Sequence, residues 1–156
     1  MKIRSMELGT LSGHEAAMVL LQAMYREEMG VDMPQILRTP RGKPYFAGAD
    51  LHFSISHTPR RVFCALSDKP VGIDAEEIDR EVNLKLAEKI LSADEYAQFL
   101  QAEDKGQALL KFWVLKEASA KLSGEGIQGY PNKTAFSLED PRLQIMHNCF
   151  VAVFEE

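Results

Sequence analysis

The chain has 156 residues, enough for one small domain or two very small halves sharing a core. Its 46% hydrophobic and 26% charged residues are ordinary for a soluble globular protein, and no stretch reaches the roughly 18 consecutive apolar residues of a membrane helix. A net charge of −5 argues against a nucleic-acid binder that relies on a general positive field, while leaving room for a local basic patch.

Residues 1–8 lack the long apolar run of a secretory signal and read as a first strand. Ser12 and Glu15 have capping-box spacing, Val19, Leu20, Ala23 and Met24 follow at helical spacing, and Gly30 closes the helix. Gly42-Lys43-Pro44 marks a tight turn. Residues 51–55 alternate, with Leu51, Phe53 and Ile55 expected to face the core from a half-buried strand. A polar turn at 58–61 leads into an apolar strand over 62–66, and a second turn at 67–70 into a strand over 71–75. Ser92 and Glu95 repeat the capping-box spacing and open a short helix, and the longest helix runs from about 107 to 122, closed by Ser123-Gly124. Residues 149–154 form a last strand of β-branched and aromatic residues. The pattern predicts an α+β fold of two pseudo-symmetric halves, about 1–66 and 67–156, each a helix packed on a small, mostly antiparallel sheet. Cys64 and Cys149 stand far apart in apolar runs with no C-x-x-C, which predicts buried, reduced thiols and a cytoplasmic protein.

Three places carry chemistry beyond folding. In Gly72-Ile73-Asp74-Ala75-Glu76 the strand alternation throws Asp74 and Glu76 to one face and Ile73 and Ala75 into the core. Two such like charges repel by about 2–3 kcal/mol at an effective dielectric near 20, a term that a cation between them reverses. Oxygen-only ligands favour magnesium, manganese or calcium over zinc. On the long helix, Phe112, Leu115, Ala118 and Leu122 form an apolar stripe, yet Glu117 and Lys121 on the other side also have apolar neighbours, Leu110, Trp113 and Val114. That setting is unusual for a plain surface i,i+4 pair. Third, Ser56-His57 ends a strand, with Arg60 and Arg61 just beyond and Lys43 in the preceding turn; such side chains at strand ends can hold phosphate oxygens.

Taken in order, Gly42-Lys43-Pro44, residues 52–57, Gly72-Ile73-Asp74-Ala75-Glu76 and residues 112–121 resemble the 4′-phosphopantetheinyl transferases, in the pseudo-dimeric type that activates peptide synthetases rather than the short trimeric type. Residues 91–96 and Gly124-Glu125-Gly126-Ile127 add to the resemblance, which runs from about 41 to 138. It implies transfer of 4′-phosphopantetheine from coenzyme A to a serine of an acyl or peptidyl carrier protein, whether of fatty-acid, polyketide or peptide synthesis. It further implies Mg2+ (or Mn2+) held by Asp74, Glu76 and Glu117, with Glu117 also acting as base, directly or through water. Lys121 would offset phosphate charge, and Lys43, Ser56 and His57 would hold coenzyme A. Neither a nucleic acid nor a membrane is an implied partner, and a monomer or homodimer fits. The alternative is a degenerate transferase that binds coenzyme A or a carrier without turnover. Arg80, Lys85 and Lys89 are basic candidates for carrier docking.

The sequence also departs from the resemblance. The stretch between the first strand and Gly42 is short, His14 stands where an arginine is usual, and Glu125 lies between glycines where a basic residue is usual. The expectation is a trimmed N-terminal half and weaker reliance on the 3′-phosphate of coenzyme A.

Overall fold

The computed structural model describes residues 1–124 and 135–156, so Glu125, Gly126 and Ile127 lie outside the described residues. The elements are β1 (Lys2–Glu7), α1 (Gly13–Met29), β2 (Ile36–Arg38), β3 (Pro44–Phe46), β4 (His52–His57), β5 (Arg61–Ser67) and β6 (Val71–Glu77). A 3-10 turn (Leu84–Leu86) follows, then α2 (Ala87–Ile90), α3 (Ala93–Gln101), α4 (Lys105–Ser123), β7 (Leu143–Met146) and β8 (Cys149–Glu155). The fold is α+β, and its two three-stranded antiparallel sheets have the same plan, β1-β5-β4 and β6-β8-β7, in which the first strand of each half pairs with the last. A two-stranded hairpin, β2-β3, stands beside the first sheet.

The layers run α1, first sheet, second sheet, α4, and strand alternation builds them. Along β5, Val62, Cys64 and Leu66 point to α1, while Phe63 and Ala65 point to the second sheet. Along β8, Phe150, Ala152 and Phe154 point to α4, while Cys149, Val151 and Val153 meet the first sheet. A central strand covered on both faces reads as an unbroken apolar run, as both of these do. Burial pushes the Cys64 thiol up to about 12, and both cysteines are free and buried.

The helix ends follow the expected caps. Ser12 and Ser92 each complete a capping box with Glu15 and Glu95, and Gly30 and Gly124 close α1 and α4 in the left-handed region. The apolar face of α1 differs from the one expected. Leu20 and Met24 are buried, but Val19 is 53% exposed and Ala23 faces solvent. The buried face is Ala16, Ala17, Leu20, Leu21, Met24 and Tyr25, adjacent pairs at i, i+4, which places the stripe one residue further round. The strand over 51–55 also differs. Phe53 is buried toward α1, but Ser54 and Ser56 are buried too, because β6 covers the face that alternation alone assigns to solvent. Strands β2, β3 and β7, of three or four residues, were not expected from the pattern.

Candidate active site

Gly72 sets the site. A Cβ there would fall 2.1 Å from the Ala118 carbonyl oxygen and 2.5 Å from the Leu122 nitrogen, so the backbone of α4 lies directly on β6. Gly72, Asp74 and Glu76 share the face turned to that helix, while Val71, Ile73 and Ala75 fill the core between the sheets. Glu117 and Lys121, one helical turn apart, are thereby carried beside Asp74.

Asp74 is held from several directions. Its Oδ1 accepts from Ser56 Oγ at 2.8 Å and from Lys121 Nζ at 2.7 Å, and Lys121 also donates to the Ile55 carbonyl at 3.2 Å. The neighbouring amides of Ile73 and Ala75 donate to Ser54 Oγ and Ser56 Oγ at 3.0 and 3.1 Å, so serine hydroxyls stitch β4 to β6 where no strand ladder forms. Asp74 is 6% exposed, and its Oδ2 is buried with no hydrogen-bond partner. A buried carboxylate oxygen without a donor carries a desolvation cost that a ligand would remove.

The two glutamates respond to this burial. Glu117 is pushed up to about 7, first by burial and then by the charge of Asp74, with Lys121 opposing and Glu76 adding to the rise. Burial also raises Glu76, against the pull of Arg80, with which it forms an ion pair on the next turn of chain. Among the described residues no three Asp, Glu, His or Cys groups stand as a preformed metal cage.

A cavity of about 590 Å3 opens beside this cluster, between the halves. Gly13 and His14 at the start of α1, the β2-β3 hairpin, Ser54, Ile55 and His57 on β4, and Glu117 and Lys121 on α4 line it. Its charged lining is Arg38, Arg41, Lys43 and Lys121 against the single carboxylate of Glu117, a basic cleft in a chain of net charge −5. Lys43 lies along Gly124 and donates to the Leu122 carbonyl at 2.5 Å, tying the hairpin turn to the end of α4; burial lowers its amine below the ordinary lysine value. His57 packs on Gly13, where an added Cβ would stand 2.9 Å from the ring. Gly42, at φ 89°, makes the turn that presents Lys43, and its carbonyl accepts from Arg38 at 2.8 Å.

Of the residues singled out in the sequence, Lys43, His57, Glu117 and Lys121 line this cavity, and Asp74 and Glu76, absent from the lining, lie next to Glu117 and Lys121. Ser56 does not line it; the hydroxyl is turned to Asp74. Arg60 and Arg61 are also elsewhere, engaged with Glu77 and Asp79 and with Glu7 around a second cavity. Arg38 and Arg41 were missed, since a three-residue strand and the turn after it give no periodic signal. Glu95 was read only as a cap, yet it is fully buried, receives the Lys116 amine at 2.8 Å and accepts the Phe136 amide at 2.9 Å.

Comparison with known proteins decides the family. The model of the 4′-phosphopantetheinyl transferase superfamily matches residues 70–149, which include β6, α4 and β7. The chain belongs to this superfamily. It is 38% identical over 128 residues, 78% of its length, to the 4′-phosphopantetheinyl transferase psf-1 of Bacillus pumilus, of which it covers 54%. To the 4′-phosphopantetheinyl transferase Sfp of Bacillus subtilis it is 33% identical over 70% of its length and 50% of that protein. To the 4′-phosphopantetheinyl transferase gsp of Aneurinibacillus migulanus it is 40% identical over 55% of its length, covering 36% of that protein. The chain therefore spans about half the length, or less, of these curated relatives.

The residues at the site suit a hard divalent cation. The donors are all carboxylate oxygens, and Asp74 Oδ2 is buried and unsatisfied. Magnesium is characteristically held by one or two carboxylates with waters and substrate phosphate oxygens completing the shell, so it does not require a preformed protein cage. Among the described residues, no helix is long and apolar enough to cross a membrane.

Proposed function

We propose that this chain transfers 4′-phosphopantetheine from coenzyme A to a serine of an acyl or peptidyl carrier protein, with Mg2+ or Mn2+ bound by Asp74, Glu76 and Glu117. The observation that carries this reading is the junction of a basic cleft with a buried, under-satisfied carboxylate cluster. The four cationic side chains of the cleft suit a polyanion, and the cluster beside it suits a cation bound to that polyanion's phosphates.

The reaction is a phosphoryl transfer in which positioning and charge do most of the work. The carrier serine oxygen attacks the β-phosphorus of coenzyme A, a new oxygen–phosphorus bond forms, and the bond to the α-phosphate oxygen breaks. Adenosine 3′,5′-bisphosphate leaves. The metal, when bound, supplies Lewis-acid stabilisation of the pyrophosphate oxygens. Glu117, which lines the cleft next to Asp74 and Lys121, would take the serine proton, directly or through a water. Lys121, anchored on Asp74, places a cation at the edge of the cleft to offset phosphate charge. Lys43 and His57, which line the cavity, would hold the nucleotide end of coenzyme A, and His14, Arg38 and Arg41 would add basic groups there.

The test is loading of apo carrier proteins followed by intact mass, with and without EDTA. The wild type adds one phosphopantetheine per carrier and loses activity with EDTA, and Asp74→Ala abolishes transfer with the fold intact by circular dichroism. Undiminished transfer by Asp74→Ala would overturn the reading, and coenzyme A binding with no transfer to any carrier would favour a non-turnover binder.

A further inference from the structure

Ser56 resembles a coenzyme A ligand by its place in the chain, but the structure puts its hydrogen-bonding capacity to a different use. Its oxygen accepts the Ala75 amide at 3.1 Å, and its single proton goes to Asp74 Oδ1 at 2.8 Å. The residue is 6% exposed and absent from the cavity lining, so water and ligand have little access to exchange with these bonds. Ser54 holds the Ile73 amide in the same way. The backbone on both sides of Asp74 is thus pinned to β4, and Oδ1 is saturated by Ser56 and Lys121 while Oδ2 is left without a donor.

We infer that Ser56 is a positioning residue that locks the Asp74 carboxylate with Oδ2 presented to the metal, and that it does not contact coenzyme A. This rests on the metal-dependent reading above. Its chemistry is that of an outer-shell hydrogen bond: a ligating carboxylate whose other oxygen is already bonded loses less freedom on binding a cation. Removing such a partner commonly lowers metal affinity by about 10- to 100-fold.

The experiment measures Mn2+ binding to the full chain by paramagnetic resonance, and coenzyme A binding in EDTA by calorimetry. It compares wild type, Ser56→Ala, Ser56→Thr and Asp74→Asn, each checked by circular dichroism. The expected result is Mn2+ binding weakened about tenfold or more in Ser56→Ala, restored to within about threefold in Ser56→Thr, with coenzyme A binding in EDTA unchanged in both. Mn2+ affinity of Ser56→Ala equal to wild type, alongside weakened Asp74→Asn, overturns the role of Ser56 alone. Wild-type affinity in both variants overturns the metal reading with it. Loss of coenzyme A binding in Ser56→Ala at undiminished Mn2+ affinity overturns the inference by making Ser56 a ligand. If Ser56→Ala fails to fold, Ser56→Cys, nearly isosteric and a weak donor, takes its place with the same expected and overturning results.

Discussion

The two halves use one strand-and-helix arrangement with opposite results. In the first, Lys2 and Arg4 on β1 reach Glu28 and Glu27 in the last turn of α1, at 2.5 and 2.7 Å, with the side chains 39–48% exposed. In the second, Asp74 on β6 reaches Lys121 in the last turn of α4 at 2.7 Å, with the carboxylate side chain 8% exposed and the lysine 32%. The signs are reversed, acid on the strand and base on the helix, and the surroundings are different. The exposed pairs sit in water, where such bridges contribute roughly 0–1 kcal/mol. The second pair is walled in because glycine, rather than a side chain, separates β6 from α4. Identical topology yields a surface ion pair in one half and a chemical site in the other, and the difference begins at Gly72.

That contrast can be broken at its root. Gly72→Ala places a methyl group 2.1 Å from the Ala118 carbonyl oxygen, and the helix must move to admit it. The expected loss is about 3 kcal/mol or more by chemical denaturation, with transfer activity falling as Glu117 and Lys121 withdraw from Asp74. An alanine variant of wild-type stability would show that α4 does not need this close approach. Lys121→Ala tests the pair itself. It leaves a buried carboxylate without its cation, and about 2 kcal/mol of stability should go, discounted for the partial exposure of the lysine. Because Lys121 holds the Glu117 carboxyl down, the same variant should titrate Glu117 above its wild-type value, measurable by NMR.

The pH dependence sharpens the comparison further. Glu117 has an ordinary value of 4.5 and is raised to about 7 in the fold, so the protonated form is the favoured one. Its contribution to stability is fully present below 4.5 and is lost as pH rises through about 7. In EDTA, stability should fall across that window by on the order of 1–2 kcal/mol after allowance for solvent screening, and Glu117→Gln should flatten the slope. A melting temperature as pH-dependent in Glu117→Gln as in wild type would assign the effect elsewhere. The smallest change belongs to the first half. Arg4→Ala should cost under about 0.5 kcal/mol, an effect that moderate salt erases. A loss as large as that of Lys121→Ala would remove the distinction between the halves.

Local signals carried much of this fold. The hydroxyl–glutamate spacings at Ser12 and Ser92 and the glycines at 30 and 124 mark helix ends because their physics is contained within a few residues. The apolar runs of β5 and β8 mark central strands for the same reason. Asp74, Glu76 and Glu117 were picked out by residue type and by resemblance, but their meeting depends on a contact between β6 and α4 more than forty positions apart, which no periodicity encodes. The assignment of Leu51, Phe53 and Ile55 to the core did not foresee the burial of Ser54 and Ser56, since alternation reports only that two sides differ and not what covers each. Glu95 looked complete as a cap, and nothing local announces that its carboxylate also receives Lys116. Arg38 and Arg41 acquire meaning only once the hairpin folds over the cleft.

The basic cleft has a kinetic consequence. Four cationic side chains at one opening of a molecule with net charge −5 concentrate the attractive field at a single entrance, while the acidic remainder repels anions approaching elsewhere. A polyanion is therefore steered before it touches the protein, and the capture rate, more than the lifetime of the complex, should fall as ionic strength rises.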